Sequence, residues 1–204
     1  MLRSFATVCS ILCHPLLLMN FGLFSIMFWH PYFVSKFYET QFYTISMFVS
    51  INTLVLPMLS VYLLKRFGLI DDFAMSNPKQ RLLPYSIMVG IVGLTMFQLY
   101  KIDYTGLPML FMGACALSLM ANVLINLKFK ISTHAIGCGG LVALYTLISY
   151  REDLILFKGF LIGFVLVSGI VMWARLYLQA HTEKEVYTGF LLGLATTSLV
   201  LLGL

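Results

Sequence analysis

Arg175, His181 and Glu185 are spaced for chemistry. Five residues separate the arginine from the histidine, and three separate the histidine from the glutamate. If a helix runs through the pair, His181 and Glu185 stand at i and i+4, on one face and about 6 Å apart at Cβ. A carboxylate in that place can hold one ring nitrogen of the histidine and leave the other free to react. The segment Ala174–Glu185 is a polar island between two long apolar runs. Ionisable residues at a membrane boundary cost free energy unless they have partners, which makes them functional candidates by default.

Two further polar segments carry residues of the same kind. One is the connection from Phe67 to Arg81, which holds Asp71, Asp72, Ser76, Asn77, Pro78, Lys79 and Arg81; the other is Lys130-Ile131-Ser132-Thr133-His134. Cations and hydroxyls that hold an anion, two histidines and an orienting carboxylate suit phosphoryl transfer. Arginine grips phosphate oxygens in a bidentate fork, and charges that bind the ground state also stabilise the charge spread during transfer. His181, held in one tautomer by Glu185, would attack phosphorus, and His134 would protonate the departing oxygen. Ser132 and Thr133 precede an apolar run and are placed to cap a helix whose free N–H groups face an anion. Neither a metal nor another cofactor is needed for this chemistry. Two other readings use the same residues. His134, His181 and Glu185 form a possible metal triad. The cations alone could serve a transporter or binding protein for an anionic lipid, for which a discontinuous helix near the bilayer midplane would be expected.

The elements that must position these groups are membrane helices. In a chain of 204 residues, 60% are hydrophobic and 10% charged, with a mean hydropathy of +0.94. A soluble domain of this length cannot hide that much apolar surface. The runs are long and continuous, as helices require and the alternating strands of a barrel do not. An all-α, polytopic transmembrane bundle of six to seven helices is expected, as a single membrane domain with its site-bearing core at about residues 79–189. The runs fall at about 7–29, 43–64, 82–100, 107–127, 134–150, 154–176 and 186–204.

If all seven runs cross, two crossings separate each polar segment from the next, and all three share one membrane face. Charge does not fix which face this is. Lys and Arg favour it, but the asymmetry vanishes once Lys79, Arg81, Lys130 and Arg175 are set aside as phosphate ligands. The net charge of +5 lies near run ends, where anionic headgroups account for it, so the bilayer is a partner and nucleic acid is not.

Blander roles cover much of the rest. Lys65, Arg66, Lys128 and Lys184 read as snorkelling anchors. Cys9, Cys13, Cys115 and Cys138 read as buried packing residues. His14, beside Pro15, is expected to satisfy a local backbone group, and His30 to sit in an aromatic belt. Asn122 and Asn126 share a face and suit hydrogen bonds to neighbouring helices. Gly137, Gly139 and Gly140, with the spaced pairs Gly159/Gly163 and Gly189/Gly193, suit close helix packing.

The three segments resemble the type 2 phosphatidic acid phosphatase superfamily, whose signatures are K-x6-R-P, P-S-G-H and S-R-x5-H-x3-D. Arg175, His181 and Glu185 match the third in spacing, with Ala174 for its serine and Glu185 for its aspartate. Ser132-Thr133-His134 is similar to the second, with Thr133 for its glycine, and Lys79-x-Arg81 followed by Pro84 is similar to the first. The resemblance implies that His181 forms a phosphohistidine, Glu185 orients it and His134 is the acid. It assigns phosphate binding to Arg175, Arg81, Lys79 and Ser132 or Thr133. It also implies a phosphorylated or diphosphorylated membrane lipid as substrate. Two apparent spans between Arg81 and His134 depart from the family's usual non-spanning connection.

Overall fold

A computed structural model describes residues 1–36, 39–73, 75 and 77–203. Ser76 of the polar connection lies outside them. The helices are α1 (Leu2–Leu12), α2 (Pro15–Trp29), α3 (Pro31–Lys36), α4 (Glu39–Ser50), α5 (Leu56–Arg66), α6 (Leu82–Lys101), α7 (Leu107–Asn126), α8 (Thr133–Glu152), α9 (Ile155–Tyr177) and α10 (Glu183–Leu202). No strand occurs among the described residues. The fold is all-α, as the runs require.

Five helices among the described residues are long and apolar enough to cross a membrane, and six if the bent pair α1–α2 is one span. The expected seven runs are all helical. Two of them differ from simple spans. The first is broken, with α1 and α2 meeting at 52°. Pro15 has no N–H, so the chain cannot continue the helical ladder there; His14 N–H instead bonds the Ile11 carbonyl at 3.2 Å. The fifth, α8, is not among the apolar candidates. It carries Gly, Thr, Cys and Ser along its length and buries ten of its residues against protein. Lys79–Lys101 and Leu107–Asn126 both pass as spans by length and composition.

The chain divides into two compact units: Met1–Met19 with Phe129–Leu204, and Asn20–Lys128. In the first, α8 packs on α10 and α9, and α1 packs on α9. The α8–α10 contact is backbone against backbone. A Cβ at Gly139 would lie 2.1 Å from the Phe190 carbonyl oxygen, one at Gly189 2.6 Å from that of Ser132, and one at Gly193 2.0 Å from that of Ile136. These glycines pack as expected. Gly159 and Gly163 do not: a Cβ at either meets nothing within 4 Å.

In the second unit α6 packs on α7 and α5. A π-helical turn, Ile51–Val55, interrupts the α4–α5 span. It buries Thr53, whose hydroxyl bonds the Val49 carbonyl at 2.7 Å and Asn20 Oδ1 at 2.9 Å. Asn52 meets Gln98 at 3.3 Å. Asn122 and Asn126 are both buried, and they bond each other within α7 rather than a neighbouring helix: Asn126 Nδ2 donates to the Asn122 carbonyl at 2.8 Å and to its side-chain oxygen. His30 is buried, with its ring against Phe33.

Candidate functional site

One end of the first unit gathers the titratable residues of the second and third polar segments. Local backbone chemistry sets each of them. α9 ends in a Schellman motif: the amide of Ala180 bonds the Arg175 carbonyl at 3.1 Å and that of Gln179 bonds Leu176 at 2.9 Å. The motif needs a left-handed residue, and Gln179 takes it at φ 53°. Lys130 Nζ then donates to the Ala180 carbonyl at 3.0 Å, fixing the turn that carries His181. Left-handed backbone costs a non-glycine residue roughly 1 kcal/mol. Gln179→Gly is therefore expected to raise unfolding stability by up to about 1 kcal/mol, read from denaturation in detergent.

α10 opens with a capping box. Thr182 Oγ1 accepts the Glu185 amide at 3.4 Å, and the Thr182 amide donates to Glu185 Oε2 at 3.2 Å. The same Oε2 lies 2.8 Å from His181 Nδ1. One carboxylate thus caps the helix and orients the imidazole, and a glutamate at the third helical position is what the box requires. With Nδ1 engaged, Nε2 is the ring's second nitrogen.

The His181 side chain is 4% exposed and that of Glu185 15%. Burial pushes the His181 imidazolium down to about 4; the hydrogen bond and charge of Glu185 oppose the shift, while the charges of Arg175 and Lys130 add to it. His181 is therefore neutral at pH 7. Its folded value lies below its unfolded one, so the stabilising contribution is complete above about pH 6.5 and is lost as pH falls towards 4. At about 1.4 kcal/mol per unit, the full loss is about 3 kcal/mol. Thermal unfolding in detergent is expected to move to lower temperature across that window, by less in His181→Asn.

α8 begins at Ser132, whose Oγ accepts the Ala135 amide at 3.4 Å. Ser132 is fully buried, and its amide donates to the Glu185 carbonyl at 3.1 Å. Its hydroxyl builds the helix start, so of the two hydroxyls named for phosphate the half-buried Thr133 is the better placed. His134 follows, with Nε2 3.0 Å from the Ser10 carbonyl oxygen. A carbonyl only accepts, so Nε2 carries the proton. The two imidazoles are thus tethered through opposite nitrogens, leaving Nε2 of His181 and Nδ1 of His134. Arg175 Nη1 donates to Ser10 Oγ at 3.2 Å. Its guanidinium is a charged neighbour of His14, His134 and His181.

Sequence reasoning missed Ser10 and underused His14. The signal for both was Pro15, which breaks α1 from α2 beside Ser10, which meets His134 and Arg175, and His14, which meets His134. Lys79 and Arg81 belong to the second unit. There Lys79 is exposed, and Arg81 is buried with its Nε donating to the Met75 carbonyl at 2.9 Å. Asn77 caps the short 3-10 turn that carries them. The hydrogen bonds of Lys130, His134, Arg175, His181 and Glu185 described above lie within the first unit. Among the described residues no three His, Cys, Asp or Glu side chains come together as a metal-holding group, His134, His181 and Glu185 included.

Helix content, apolar spans and a buried polar centre define an all-α integral membrane protein. The chain matches no family model, no curated protein and no solved structure.

Proposed function

We propose that the first unit is a membrane phosphatase or phosphotransferase, a divergent relative of the type 2 phosphatidic acid phosphatases, acting on a phosphorylated or diphosphorylated lipid. The observation that carries this reading is the His181–Glu185 contact at 2.8 Å, with the charges of Arg175 and Lys130 acting on the same imidazole. An oriented neutral imidazole near two cations is a nucleophile beside an anion site. The His181 Nε2 lone pair forms a bond to phosphorus as the ester P–O bond breaks. The electron pair stays on the lipid oxygen, which takes a proton that Nδ1 of His134 relays from solvent while the Ser10 carbonyl holds Nε2–H. Water then attacks the phosphohistidine, its proton passes back through His134 to solvent, and phosphate leaves. Arg175, Lys130 and the first-turn amides of α8 at Thr133 and His134 hold the phosphoryl oxygens.

The test is release of inorganic phosphate by purified protein from a panel of lipid mono- and diphosphates, with and without chelator, together with trapping of an acid-labile phosphoenzyme. Turnover that survives chelator and a trapped phosphohistidine support the scheme. No turnover of any of the lipids refutes it. A second reading, an anionic-lipid transporter or binding protein, is favoured by the broken α1–α2 span. It predicts saturable lipid phosphate binding without release of phosphate.

A further inference from the structure

His14 is the titratable group at this end of the unit that the scheme above leaves unused. It sits in the break between α1 and α2, where α2 starts at Pro15. As expected of a histidine beside a proline, its Nδ1 accepts a backbone hydrogen bond, from the Leu16 amide at 3.4 Å. That bond consumes the Nδ1 lone pair, so the ring is neutral and its proton is on Nε2. The His14 ring stands edge-on to His134, with centroids 5.8 Å apart at 82°. Arg175 is the charged neighbour of both rings.

The side chain of His14 is exposed, unlike that of buried His181. A polar ring in a broken membrane span is costly in hydrocarbon, and such breaks are tolerated where they line a polar cavity. A fixed N–H donor beside an arginine is a suitable ligand for a phosphoryl oxygen. The neutral ring also keeps a second positive charge away from Arg175. His14 has no proton to give up without becoming an imidazolate, so it binds rather than acting as acid or base.

We propose that His14 is a phosphate-binding residue of this site, donating from Nε2 to a phosphoryl oxygen alongside Arg175. The inference rests on the reading of the site as a phosphoryl site, but its test does not need turnover. Binding of inorganic phosphate to the purified protein in detergent is measured by calorimetry for wild type, His14→Ala and His14→Gln. The glutamine keeps an N–H donor, and neither change removes a buried core group.

The Kd for phosphate is expected to rise about tenfold in His14→Ala and to return at least halfway, on a logarithmic scale, in His14→Gln. If wild type also turns over lipid phosphate, kcat/KM should fall in parallel and the acid limb of its pH profile should not move, because His14 transfers no proton. Equal phosphate affinity in all three proteins, or no phosphate binding by wild type, overturns the assignment. An acid limb that moves in His14→Ala overturns it too. Phosphate binding that weakens in His14→Ala, with no turnover by wild type, keeps the assignment and rejects the phosphatase instead.

Discussion

His181→Ala is expected to abolish phosphate release, by at least about a thousandfold, and to leave no phosphoenzyme to trap. No second nucleophile stands in its place. His134 has Nε2 committed to the Ser10 carbonyl, and its remaining nitrogen is needed for the leaving group. His134→Ala should slow phosphoryl transfer to a lipid alcohol by about a hundredfold or more while still allowing phosphoenzyme from a substrate with a good leaving group. Glu185→Gln tests orientation separately. The amide oxygen can still accept the Thr182 amide, so the capping box survives while the negative charge beside His181 is lost. A drop of about 10- to 100-fold is expected, the range typical of groups that orient a reactive imidazole. The acid limb should also shift to lower pH, because Glu185 is what raises the His181 value against burial. Rates are measured as phosphate release and the intermediate by acid-labile label. A His181→Ala protein that keeps a tenth of wild-type turnover, or that still traps phosphoenzyme, ends the histidine scheme. One that loses binding with no turnover in wild type supports the transporter reading.

Much of the helical content could be read from the apolar runs, because in lipid a spanning backbone must satisfy itself and length alone is informative. The His181–Glu185 pair was readable for a local reason: both residues lie within one helical turn, where spacing fixes proximity. Its dual use was equally local, since Thr182 and Glu185 spell a capping box. Contacts distant in sequence were not readable. Ser10 meets His134 and Arg175 across separations of 124 and 165 residues, and no periodicity in α1 marks such a partner. Lys79 and Arg81 fitted a phosphate set by type; in the second unit the 3-10 turn carries both, and Arg81 bonds the Met75 carbonyl. A lone charge names no partner. The glycine pairs make the same point: Gly159/Gly163 and Gly189/Gly193 share one spacing, yet only the second faces another backbone.

That difference gives the largest stability effect expected of the fold. A methyl group at Gly193 would sit 2.0 Å from the Ile136 carbonyl oxygen, 2.8 Å from its carbon and 2.9 Å from the Gly140 nitrogen. No rotamer relieves this, because the clashing atom is Cβ itself and its neighbours are backbone. α8 and α10 would have to part. Gly193→Ala is therefore expected to destabilise by about 3 kcal/mol or more. Gly159→Ala, where nothing lies within 4 Å, should gain about 0.5–1 kcal/mol from helix propensity. The pair isolates packing from propensity, since the chemical change is the same. Parting the helices also breaks the bond from the Ser132 amide to the Glu185 carbonyl at 3.1 Å. That bond ties the start of α8 to the start of α10, and with it His134 to His181. Gly193→Ala should then lose activity under conditions where it remains folded, which no remote loss of stability would produce. Unfolding in detergent, followed by circular dichroism beside phosphate release, checks both halves. If the two alanine variants unfold together with wild type, the close α8–α10 contact does not hold the site.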